Sequence, residues 1–210
     1  MKQIIKQFII EIKRNKRGYI FILSLILIGI IFGSLFMTIL DNHDRLLVSN
    51  QVTAFFEGIR KDELTYVVAL KNSLISNLLL VLIIWFLGIS IIGIPIILFL
   101  LFMKGFILGF SIASIIYKFS FKGIFLAFLY IFPQQLITIL FLMIVGYYSL
   151  NFSYNLFLAI IKRKTINYNK ITSKYFRILL MCLILTIVSI IFEIFVAPTL
   201  IKYLLKLNVI

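Results

Sequence analysis

Residues 77–111 read NLLLVLIIWFLGISIIGIPIILFLLFMKGFILGFS, an apolar stretch in which Lys104 is the only charge. Thirty-five residues of this kind exceed the roughly 20 needed to cross a hydrocarbon core of about 30 Å as a helix, so the stretch reads as two crossings joined by a tight turn. Gly93 and Pro95 mark the join, because proline suits the first turn of a helix, where its missing N–H is not needed. Gly88, Gly93, Gly105 and Gly109 punctuate the hairpin, and Gly105, Gly109 and Ala113 share a stripe that lets another helix approach closely.

Composition extends this reading to the whole chain. The protein is 63% hydrophobic and 13% charged, whereas a soluble domain is about half apolar and about a quarter charged. The sequence therefore predicts an all-α, polytopic helical membrane protein. Its formal net charge of +14 does not point to nucleic acid. Six of the 21 Lys and Arg lie in residues 1–17 and six in residues 162–177, flanking apolar runs as cytoplasmic loop charges do. Anionic lipid headgroups are the expected electrostatic partners of these clusters.

The basic head, residues 1–17, carries apolar residues at helical spacing and is expected to lie on the cytoplasmic face. The first span covers 18–40 and carries Gly29 and Gly33, a second small-residue surface. In residues 41–73 acids and bases nearly cancel, which places this segment outside the cytoplasm. Within it Leu46, Leu47, Val52, Phe55, Phe56 and Ile59 recur at three- and four-residue steps, predicting an amphipathic helix whose apolar face is a candidate partner surface. Further spans are expected at 74–92, 95–117, 123–145 and 175–197. Residues 146–174 form an interfacial segment and basic cytoplasmic loop, and 198–210 an external tail. The reading is five spans, N-terminus cytoplasmic and C-terminus external, because basic clusters on one side must be separated by an even number of crossings.

Intramembrane polar groups are costly and are the default functional candidates. Lys104 lies near the middle of the third span and Glu193 nearer the outer end of the fifth; direct pairing requires the lysine stem to climb. Pro133 leaves the carbonyl of Leu129 without its usual donor, predicting a kink that Gln134 can help satisfy. No catalytic, metal or cofactor constellation is expected: His43 is the single histidine and Cys182 the single cysteine. A small transporter or permease subunit, with Lys104, Gln134 and Glu193 along a pathway, is the competing expectation.

The order Asn77, Gly88, Gly93, Lys104-Gly105-x-x-x-Gly109, Lys122-Gly123 and Phe132-Pro133-Gln134 resembles the stage II sporulation protein M family. The basic head and Phe32-Gly33-Ser34 are also similar. Wider relatives carry Asn-Gly and Pro-His where Lys104-Gly105 and Pro133-Gln134 stand here, which fits the sporulation branch. The resemblance implies a non-enzymatic membrane component of endospore engulfment, located in the mother-cell septal membrane. It also implies the partners: other sporulation membrane proteins and two wall hydrolases, sporulation proteins P (an amidase) and D (a lytic transglycosylase), which it would anchor and position.

Overall fold

A computed structural model describes residues 13–60, 66–162 and 168–191. They form six helices: α1 Lys16–Ile39, α2 Asn42–Arg60, α3 Tyr66–Gly88, α4 Gly93–Tyr130, α5 Phe132–Lys162 and α6 Tyr168–Ile191. Among the described residues four stretches are long and apolar enough to cross a membrane: Lys16–Ile39, Gly93–Phe128, Gln135–Ile161 and Ile171–Ile191. The apolar part of α3, Ile75–Gly88, is shorter, although the helix itself runs for 23 residues.

Helix α1 tolerates its hydroxyls because each folds back on its own backbone: Ser24, Ser34 and Thr38 donate to the carbonyls of Phe21, Ile31 and Leu35 at 2.7–2.9 Å. Hydrocarbon offers no other acceptor. At Leu40 the backbone turns extended (φ −56°, ψ 145°), and the Arg45 guanidinium reaches back to the Thr38 carbonyl, bracing α2 against the end of α1. The α3–α4 turn is closed by Gly93 N–H to the Ser90 carbonyl at 3.1 Å. A Cβ at Gly93 would lie 2.6 Å from the Leu87 carbonyl carbon, so only glycine lets the chain reverse here.

Helix α4 is not one straight helix. Ser120 has φ 52° and ψ −128°, and a Cβ built at Gly123 would lie 2.8 Å from Ile116 Cα. Along a continuous helix seven residues span about 10 Å, so the chain has folded back at Ser120. Residues 121–130 then lead into α5 through a kink. Ile131 N–H still reaches the Ala127 carbonyl at 2.9 Å and Gln135 N–H the Ile131 carbonyl at 3.0 Å, while Pro133 can offer no N–H between them.

The sequence reading ends the fourth span at 145 and lays the following residues at the headgroups. The helix instead continues to Lys162, with Gly146, Ser149 and Ser153 buried. The two serines take the end of α3, Ser153 donating to the Ser90 carbonyl at 2.6 Å and Ser149 packing directly on Gly88, while Gly146 meets Leu101 and Ile22. Periodic smallness, rather than polarity, decides the conformation of this segment.

The main core joins five helices through Ile22 and Ile26, Val81 and Ile84, Ile97 and Leu101, Phe141 to Val145, and Ile178 to Cys182. A second cluster holds Phe56 of α2 against Leu108, Ile115, Leu126, Ala127 and Ile131. Many large apolar side chains point outward, Phe21, Ile31, Phe86, Phe99 and Leu140 among them, as a lipid-facing surface requires.

Candidate functional site

The seam between α1 and α4 is the tightest contact in the bundle. Gly29 and Gly33 face the carbonyls of Phe102 and Phe106, and Gly105 and Gly109 face the carbonyls of Ile26 and Ile30. Both series advance by four residues in the same direction, so the two helices run parallel. The Cβ that an alanine would place at Gly29 lies 3.2 Å from Gly105 Cα. Backbones this close exchange Cα–H···O contacts, which supplement packing where lipid supplies no hydrophobic drive. Phe36 and Phe106, centroids 5.5 Å apart, flank the seam.

Lys104 stands one residue before Gly105, and its Nζ donates to Asn77 Oδ1 at 3.1 Å. The pairing follows from the hairpin. Asn77 is eleven residues before Gly88 and Lys104 eleven after Gly93, so each lies about 16 Å from the turn, near the middle of a 30 Å core. Equal arms bring the amide to the ammonium, a pairing that counting outward from the turn would have revealed in the sequence.

Lys104 also lines a cleft of about 350 Å³ between α2 and the bundle, together with Gln51, Phe55, Ser111, Ser114 and Gln135. Ser111 and Ser114 spend their hydroxyls on the carbonyls of Ile107 and Phe110, at 2.9 and 2.7 Å. Gln135 Oε1 is buried and accepts no hydrogen bond among the described residues. The cleft thus offers a cation, an amide and aromatic and aliphatic walls. Among the described residues no carboxylate, imidazole or thiol lines it. Sequence reasoning named neither Gln51 nor Gln135 as a candidate, and both line the cleft.

The expected partner surface on α2 divides in two. Leu46 and Leu47 are 62% and 50% exposed, whereas Phe56 is 6% exposed and packs edge-on against Phe119 at 5.3 Å. Val52 and Phe55 are half-buried against the same cluster. Phe56 is therefore core, because the apolar stripe of α2 has the bundle itself to cover it. The side chains of Ile59, Pro133 and Gln134 lie outside the described ones, and Glu193 outside the described residues. Gly88 meets Ser149 and the Tyr175 hydroxyl. Tyr175 in turn bonds Ser149 Oγ at 2.8 Å and the Trp85 carbonyl at 2.6 Å, and stacks between Trp85 and Phe152. Nothing in the periodicity singled out that aromatic stack.

Among the described residues no group of three His, Cys, Asp or Glu is placed to hold a metal ion. The fold and seam define a polytopic, all-helical membrane protein whose helices pack through glycines and keep a polar cleft within the bundle. The family model described as stage II sporulation protein M matches residues 22–198, and the chain belongs to that family, a family of sporulation membrane proteins. Comparison with the curated proteins and with the solved structures gave no match.

Proposed function

We propose that this protein is a non-enzymatic assembly platform that recruits and positions the peptidoglycan hydrolases, sporulation proteins P and D, at the septum during engulfment. Membership of the sporulation family over residues 22–198 is the observation that carries the reading. The exposed leucines of α2, Leu46 and Leu47, lie in the segment whose balanced charge favours the external side, where the wall and its hydrolases are. They offer an apolar contact that the bundle does not itself consume.

The test is co-purification of both hydrolases with the full-length protein from sporulating cells. The double variant Leu46→Asp/Leu47→Asp should stay in the membrane at normal level and recover markedly less of either hydrolase. Undiminished recovery sinks the docking assignment. Phe56→Asp is not a useful probe of docking, because a charge on a side chain 6% exposed perturbs folding first. The cleft beside Lys104 is the feature a small permease would need. Substrate-dependent flux in reconstituted vesicles, abolished by Lys104→Ala, would replace the platform reading.

A further inference from the structure

We propose that the end of the bundle where α1 begins holds the phosphate of an anionic phospholipid in a built pocket, with the acyl chains lying along α1. The inference stands independently of the proposed function. A cavity of about 480 Å³ is lined by Arg14, Asn15, Lys16, Arg17, Gly18 and Tyr147. Three of these six carry positive charge and none is acidic. The concavity exists because Gly18 has no side chain: a Cβ there would lie 2.6 Å from Tyr147 Cε2, so α1 settles directly onto the tyrosine ring. Tyr147 stacks on Tyr19 with centroids 4.5 Å apart and meets Tyr148 at 5.5 Å. Lys174 of α6 places its Nζ 5.2 Å from the centre of the Tyr148 ring. A cation of α6 thus sits on the tyrosine next to the one that lines the cavity.

Two further features select the ligand. Asn15 makes no side-chain capping bond and its carbonyl takes the Gly18 N–H at 3.0 Å, so at this end of α1 it is the helix dipole together with the three cations that favours negative charge. Ile20 and Phe21, three and four residues after Arg17 and so on its side of the helix, are 59% and 53% exposed and offer an apolar surface one turn along α1. Phosphate oxygens suit the arginine forks, and tyrosines suit the level of the headgroups. A soluble anion would use the cations and leave the apolar surface idle. A phospholipid uses both.

The test is native mass spectrometry of the full-length protein released from detergent with added phosphatidylglycerol or phosphatidylcholine. Each basic side chain at a membrane surface is worth about five-fold in affinity. The expected result is preferential retention of phosphatidylglycerol, reduced about ten-fold or more in Arg14→Gln/Lys16→Gln/Arg17→Gln. The exposed single change Arg17→Gln should lose about five-fold and keeps the proposal testable should the triple variant fold poorly. Lys118→Gln/Lys122→Gln, at the far end of α4, should retain wild-type binding. Equal retention of the two lipids overturns the proposal, as does a preference that survives both pocket variants or falls equally in the far-end control. Displacement of the lipid by inorganic phosphate in excess would assign the pocket to a soluble anion and overturn it as well.

Discussion

Replacing Gly109 by alanine inserts one carbon where α1 and α4 are closest, and the structure sets the cost. That Cβ would lie 2.7 Å from the Ile30 carbonyl carbon and 2.8 Å from Ile30 Cα, against an ordinary contact of 3.4–4 Å. The obstructing atoms are backbone, so no rotamer change relieves them and the helices must part by roughly 1 Å. A gap of that size forfeits about a quarter to a half of each dispersion contact along the seam, and overpacking costs about 1–3 kcal/mol. Alanine returns about 1 kcal/mol of helix propensity, leaving a net loss of about 2 kcal/mol from the upper end of the range. For a chain of this size that lowers Tm by about 4–8 °C. The contrast is Gly146→Ala, whose Cβ would meet Leu101 Cδ1 at 3.1 Å and Cδ2 at 3.5 Å, the movable end of a side chain. There propensity offsets the contact and stability should stay within about 0.5 kcal/mol of wild type. Cys182, the single cysteine and fully buried, makes the assay simple: a fluorogenic maleimide reacts only as the detergent-solubilised bundle unfolds. Gly29→Ala/Gly109→Ala should cost less than the sum of its parts by at least about 0.5 kcal/mol, since helices already parted accommodate the second methyl. An unchanged or raised Tm for Gly109→Ala, or an equal loss for Gly146→Ala, would refute the reasoning.

Four other substitutions test three separate parts of the structure by the same measurement. Asn77→Leu and Lys104→Met should each destabilise the protein by about 1–3 kcal/mol, because each removes one partner of the 3.1 Å hydrogen bond within the bundle. The double variant should cost less than the two together; strict additivity would show that the pair is not coupled. Ser120→Gly should raise stability by about 1 kcal/mol, since φ 52° with ψ −128° is the glycine position of a type II′ turn. A loss there would mean that the serine hydroxyl matters more than its backbone. Tyr175→Phe keeps the stacking on Phe152 and Trp85 but removes the bonds to Ser149 and the Trp85 carbonyl, at an expected cost of about 1–3 kcal/mol. Wild-type stability would show those bonds to be dispensable.

Helical, membrane-spanning character was legible from the chain alone, because the cost of placing a residue in hydrocarbon is a local property that a run of residues displays directly. The reversal at Gly93-Ile94-Pro95 and the four-residue glycine spacings are local in the same sense. Partnership is not local. The glycines of residues 18–40 announce a smooth face, but only the folded bundle sets Gly29 and Gly33 on the backbone of residues 102–106. The amphipathic stripe of α2 announces that something covers it, and the structure supplies Leu108, Ile115 and Ile131 as the cover for Phe56. Residues 146–162 look interfacial by their tyrosines and asparagines, yet their small residues receive the turn after α3. The common reason lies in the solvent. Lipid tails are as apolar as leucine, so hydrophobicity places a segment in the membrane without telling the inside of the bundle from the outside. The residues determined apolar helices of membrane-crossing character; shape, which is a property of helices already side by side, decided that Gly105 should lie against Ile26 and Tyr147 beneath Gly18.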